Sequence, residues 1–290
     1  MRPYAASLSG HRKLRQGVVF LVAAKETVYT HGHHESVLRS HRWRTAENSA
    51  AHLLPYLQPG MTVLDVGCGP GTITADLAAL IAPGRLTASE VTADALALAQ
   101  AEAASRGQGN IDFVVSDVHE LEFPGGAFDV VHAHQVLQHV GDPVQALREM
   151  RRVCKPGGIL SARDSDYAAF AWFPAVPELT EWMALYQRVA RSNGGEPDAG
   201  RRLLSWAHDA GLSEVTATSS TWCFATPEDR AWWGGMWAER ILQSDLARQA
   251  ITSGAATQAD LRRISAGWRT WAGARSGWFS ILHGEILCRA

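Results

Sequence analysis

Three glycines alternate in the stretch "VLDVGCGPGTIT": Gly67, Gly69 and Gly71. A turn of that composition lets a ligand approach the main chain closely. No Lys-Ser/Thr pair follows, so the loop is not a nucleoside-triphosphate cradle. It also lacks the G-x-G-x-x-G spacing that seats a pyrophosphate on a helix N-terminus. Asp65, just before the loop, would oppose a pyrophosphate but suits a ligand carrying an ammonium group. Glu90 follows Gly71 by 19 residues, where a carboxylate can accept from both hydroxyls of a ribose. Ser116 and Asp117 stand where a side chain can accept from an adenine amino group, and His134 borders the same cleft. The plainer alternative is that the glycines serve only a tight strand-to-helix turn.

These residues need a scaffold that brings them to one edge. "MTVLDV", "RLTASE", "IDFVVSD", "FDVVHAH" and "ILSARD" read as strands. Between them, "TITADLAALIA" stops at Pro83 and Gly84, and "TADALALAQAEAASRG" is a helix with Thr92 as N-cap and Gly107 as stop. "QVLQHV" is a short helix, and "PVQALREMRRVCKPGG" is a helix followed by a turn. Strands alternating with helices predict a parallel sheet wound on both faces, with the ligand-binding loops at the strands' C-terminal edge. After residue 165 the texture changes: ten of the eleven tryptophans lie from Trp172 onward. Residues 227–275 look helical, and "GWFSILHGEILCRA" closes the chain as a strand. The helical piece is therefore expected to be a lid inserted before the last strand.

"VLDVGCGPG", "ASE", "VVSDVHELEFPGGAFDVVHAHQVLQHV" and "RRVCKPGG" together closely resemble class I S-adenosylmethionine-dependent methyltransferases, in particular the ubiquinone/menaquinone-biosynthesis C-methyltransferase subgroup. The resemblance covers about residues 30–165. It implies a doubly wound, mostly parallel seven-stranded α/β sheet whose last strand is antiparallel. It implies that Gly67, Gly69 and Gly71 cradle the methionine part of the cofactor, that Glu90 with Val91 holds the ribose, and that Asp117 with Val118 holds adenine. It also implies that the backbone near His134 faces the sulfonium. The resembled subgroup often has His-His where this chain reads Gln138-His139, a departure that puts the role of His139 in question. The expected division is an N-terminal helical arm over the cleft (1–58), a cofactor-binding core (59–165), and the rest of the sheet with its lid (166–290).

A sulfonium methyl needs no metal or base to be electrophilic, only alignment with a nucleophile. Candidate bases are His139 after strand four, Asp164, Asp166 and Tyr167 after strand five, and His283 in the last strand. Each has an ordinary structural reading beside the catalytic one. In "YTHGHHESVLRSHRWRTAENSA", Tyr29, His33 and Arg44 are candidates for the cleft roof, with Tyr29 near the reacting groups and Arg44 a fork for the methionine carboxylate. The histidines there lack His-Glu-x-x-His spacing, so no metal is expected. Trp172, Trp222, Trp232, Trp233 and Trp237 could wall a pocket for an apolar or aromatic acceptor, or simply fill a core.

The net charge of −2 gives no reason to expect nucleic acid. The apolar "GVVFLVAA" is too short to span a membrane and lacks a cleavage pattern, so a cytoplasmic enzyme is expected. A homodimer stays open. So do two other functions, an NAD-dependent oxidoreductase and a cofactor-binding regulator without chemistry.

Overall fold

The computed structural model describes Thr30 and residues 34–290. Tyr29 and His33 lie outside the described residues. Five parallel strands form the core of the sheet: β1 (Thr62–Val66), β2 (Arg85–Glu90), β3 (Ile111–Val115), β4 (Phe128–His134) and β5 (Cys154–Ser165). β6 (Ala171–Phe173), β7 (Val215–Phe224) and β8 (Trp278–Arg289) complete it. The order is β3-β2-β1-β4-β5-β8, with β7 on the far side of β8. β8 runs antiparallel to β5 and β7, as expected of a last strand. The sheet has eight strands rather than seven. The addition is β6, three residues that continue the β5 side of β8 and pair with Trp278–Ser280.

β5 begins at Cys154, five residues earlier than the apolar run suggests. Its register with β4 jumps from Phe128↔Cys154 to Val130↔Ile159, so the "KPGG" turn is absorbed as a bulge inside the ladder.

Helices α1 (Glu35–Arg42) and α2 (Ala46–Ser49) form the described part of the arm. The sheet is flanked by α3 (Thr72–Ile81), α4 (Ala93–Ser105), α5 (Pro143–Val153), α6 (Pro177–Ser192) and α7 (Leu203–Asp209). Thr92 and Asp142 cap α4 and α5 by accepting from Ala95 N and Gln145 N. Between β7 and β8 lie α8 (Pro227–Gln243), α9 (Asp245–Thr252) and α10 (Gln258–Gly273), the inserted helical piece. With α6 they enclose an aromatic core in which Trp182, Trp237, Trp268, Trp271 and Phe279 are fully buried. Trp233 belongs to that core, and Trp172 and Trp232 pack against it. These tryptophans hold the lid together.

The arm is strapped to the rest of the molecule. Arg240 of α8 donates to Ser36 O (2.6 Å) and Ser40 Oγ (2.7 Å) of α1, and Arg39 pairs with Glu239 at 2.8 Å. Ala46 N donates to Asp76 of α3, and Trp222 Nε1 of β7 donates to Asn48 O. Among the described residues, no helix is long and apolar enough to cross a membrane.

Candidate active site

A cavity of about 730 Å³ opens at the C-terminal ends of β1 to β4, under the arm residues Leu38, His41 and Arg44. Its floor is the β1–α3 loop. Gly67, Gly69 and Gly71 all have positive φ (65°, 54° and 84°), a region that side chains rarely adopt. At Gly71 a Cβ would stand 2.8 Å from Ala99 Cα, so this glycine lets α4 close against the turn. At Gly69 no atom lies within 4 Å of a would-be Cβ, and the residue faces the cavity.

Glu90 at the tip of β2 is tied to that loop. Its Oε1 accepts from Gly69 N (2.9 Å) and its Oε2 from Val91 N (3.1 Å). Each oxygen retains a lone pair, and the carboxylate is pre-positioned for a pair of hydroxyls. Asp65 is buried beneath the loop, where Thr74 Oγ1 donates to it at 2.6 Å. Burial pushes its carboxyl up to about 7, with Glu90 adding to the rise and Thr74 opposing it. A cationic ligand group would draw it back to the ionised form. At the β3 end, the Ser116 hydroxyl lines the cavity, buried and without a hydrogen-bond partner among the described residues. Asp117 Oδ1 accepts from His119 N (2.9 Å) and Nδ1 (2.7 Å). Partial burial would raise its carboxyl, but these bonds outweigh it and hold it below the ordinary range. Val118 is buried beside it.

The chain turns sharply after β4 at Gln135, whose φ of 55° is the one positive value among described non-glycine residues. Gln135 is a hub that the sequence did not reveal. Its Oε1 accepts from Arg44 Nη2 (2.7 Å); its Nε2 donates to Ser165 Oγ (2.7 Å) and to His283 Nε2 (2.9 Å). Ser165 N in turn donates to Gln138 Oε1, which leaves Gln138 Nε2 to donate to His139 Nε2 at 2.9 Å. Both histidines therefore accept through Nε2 and are neutral. The electrostatics agree. Burial, then the Arg44 charge, lowers His139 to about 3. Burial, then Arg163 and Arg44, holds His283 well below its ordinary value.

The structure thus gathers Asp65, Gly67, Gly69, Glu90, Val91, Asp117, Val118, His134, His139 and Arg44 around one cavity, whereas Gly71, expected to cradle the cofactor, packs against α4 instead. Four other expectations change. Asp166 is fully buried outside the cavity, gripped by Arg201 Nε (2.7 Å) and Nη2 (2.6 Å), so it braces the turn after β5 rather than facing a substrate. Asp164 Oδ1 accepts from Gln138 N, anchoring the turn after β4. Tyr167 is stacked between Tyr186 (3.9 Å) and Phe170 (4.4 Å) in the lid core. Arg44, expected as a fork for a carboxylate, is used by Gln135 and lies 5.6 Å from the Trp222 ring centroid. Among the described residues no three His, Cys, Asp or Glu form a metal-binding group.

The donor set fits a nucleoside with a cationic centre, because a poised carboxylate, a buried anion-capable group and an unmatched hydroxyl converge there. Residues 57–224 match the family described as "Methyltransferase domain". The chain belongs to that family and is an S-adenosylmethionine-dependent methyltransferase. It is 34% identical over 269 residues to the "Uncharacterized methyltransferase C1B3.06c" of Schizosaccharomyces pombe, covering 89% of this chain and 95% of that one. It is 30% identical to the ubiquinone/menaquinone biosynthesis C-methyltransferase UbiE of Shewanella sp. strain ANA-3, covering 71% and 85% respectively. A solved structure from Bacillus halodurans C-125 shares the fold, with a TM-score of 0.53, 20% identity, and coverage of 82% of this chain and 97% of that one.

Proposed function

We propose that the enzyme methylates a small acceptor of apolar or aromatic character, such as a quinone precursor, an indole or a phenol. S-adenosylmethionine supplies an electrophilic methyl group when bound. Glu90 would hold its ribose, Asp117, Val118 and Ser116 its adenine, and Gly67, Gly69 and Asp65 its methionine end. The observation that carries this reading is the doubly anchored Glu90 carboxylate at the mouth of a cavity continuous with the β4 tip. Burial lowers the proton affinity of the histidines at that tip and makes them weak bases, so on this reading the residues here position and desolvate an acceptor. Functionally, residues 1–58 would roof the cleft, 59–165 bind the cofactor, and 166–290 close over the acceptor.

Titration calorimetry with S-adenosylhomocysteine and with NAD separates the cofactor assignments. Labelled-methyl transfer to a panel of aromatic metabolites then tests the acceptor class. Binding of S-adenosylhomocysteine with transfer to aromatic members is expected. Cofactor binding with no transfer to any member would favour a regulator without chemistry.

A further inference from the structure

His134 ends β4 at the cavity wall and is only 6% exposed. Neither of its ring nitrogens has a hydrogen-bond partner among the described residues. A neutral imidazole must carry one N–H and one lone pair, so one donor and one acceptor are left unmatched in a buried place. Leaving such groups unpaired costs free energy, and sites built to bind hydroxyl groups show this signature. The sheet order places His134 on the opposite side of β1 from Glu90 and Asp117, away from the nucleoside end. Its ring lies 5.8 Å from Trp222 and 6.2 Å from His283, both tilted against it. Its register partner on β5 is Arg163, which is buried, and Arg44 lines the same cavity. Arg163 is paired with Glu285 at 3.1 Å, which leaves Arg44 as the guanidinium that lines the cavity and disfavours a cationic acceptor.

From these observations, and resting on the methyltransferase reading above, we infer that His134 is an acceptor-binding residue: it takes the hydroxyl of a neutral or anionic hydroxylated ring, a phenol or enol, in preference to an amine. The hydroxyl donates to the free ring nitrogen or accepts from the ring N–H, within the cavity that His134 lines. The imidazole keeps its proton count, so no proton is moved by His134 in this role.

The test uses the full chain saturated with S-adenosylhomocysteine and three probes that share a naphthalene ring: 2-naphthol, naphthalene and 2-(aminomethyl)naphthalene. The wild type is expected to bind the naphthol at least about tenfold more tightly than either other probe, the scale of one buried hydrogen bond. His134→Ala should erase that preference while S-adenosylhomocysteine affinity stays within about twofold, and His134→Asn, which keeps a donor and an acceptor, should restore part of it. Equal binding of the three probes, no binding of the naphthol, a preference that survives His134→Ala, or loss of cofactor affinity in that variant would each overturn the assignment. Failure of the wild type to bind S-adenosylhomocysteine at all would instead sink the methyltransferase reading.

Discussion

At the scale of single residues, Glu90 and Asp65 carry opposite demands. Glu90 is fixed by two backbone N–H groups and has capacity left for a ligand. Glu90→Ala is expected to weaken S-adenosylhomocysteine binding by about 10- to 100-fold, the value of one or two charge-assisted hydrogen bonds. Calorimetry checks this, and unchanged affinity would remove Glu90 from the ribose site. Asp65 is a buried carboxyl that ionises near 7 rather than at 3.8. A raised carboxyl means that the folded state holds the proton more tightly than the unfolded one. Its contribution to stability therefore falls as pH climbs from 3.8 towards 7, by about 1.4 kcal/mol per pH step at most. Asp65→Asn should raise Tm at about pH 8 relative to wild type and leave it little changed near pH 4. The same variant should flatten the pH dependence of cofactor affinity, which in the wild type rises through 7 as the carboxylate forms to meet the ligand's ammonium. A pH profile identical in both proteins would contradict that role.

At the scale of elements, the two ends of one loop make a contrast. Gly69 and Gly71 both have positive φ, yet only Gly71 has α4 packed where a Cβ would go. Gly69→Ala should cost about 1 kcal/mol of stability from the left-handed backbone and abolish cofactor binding, because the methyl group enters the cavity. Gly71→Ala should lower Tm far more, since α4 itself must shift. Equal Tm losses in thermal melts would refute the distinction. A second element-level feature is the polar layer across β5, β8 and β7. Arg163, 1% exposed, donates to Glu285 Oε1 and Ser220 Oγ at 3.1 Å, and Thr218 Oγ1 donates to Glu285 Oε2 at 2.8 Å. Glu285→Gln strands a buried guanidinium and should cost about 3–5 kcal/mol in urea unfolding, whereas adding Arg163→Met should recover much of that loss. A strictly additive double mutant would show that the pair is uncoupled.

The placement of Asp65, Glu90 and Asp117 at the tips of β1, β2 and β3 was legible in the sequence because each lies within two residues of the end of its own strand. Thr92 and Gly107 were legible for the same local reason. The Gln135 hub was not. "HAHQVLQH" carries no cue for a left-handed glutamine, and its partners Arg44, Ser165 and His283 are joined only by the sheet register. Asp166 misled because its position after β5 is right for a site, while Arg201, distant in sequence, determines what it does. The tryptophans likewise signalled a large aromatic surface without saying which side faces in. β6 was too short for any period to register.

At the scale of the whole molecule, the lid and the cofactor-binding sheet are interlocked. The chain leaves the sheet after β7, builds α8 to α10, and returns as β8, which pairs β5 on one side and β7 on the other. β8 also delivers Phe279 to the lid core, and His283 and Glu285 to the layer behind the cavity. Neither half can lose the other without exposing a sheet edge and a broken core. The protein should therefore melt in one calorimetric transition, and S-adenosylhomocysteine at about 100 times its Kd should add about 2.7 kcal/mol and shift that whole transition by several degrees. Truncation after Phe224 should yield no cooperative melt, because the β5 edge and the aromatic core lose their partner together. Two resolved transitions, only one of them moved by the ligand, would mean that cofactor binding is felt by the sheet alone. The contacts that run from the arm through Arg240 and Trp222 argue against that outcome, since closing the cleft and folding the lid draw on the same residues.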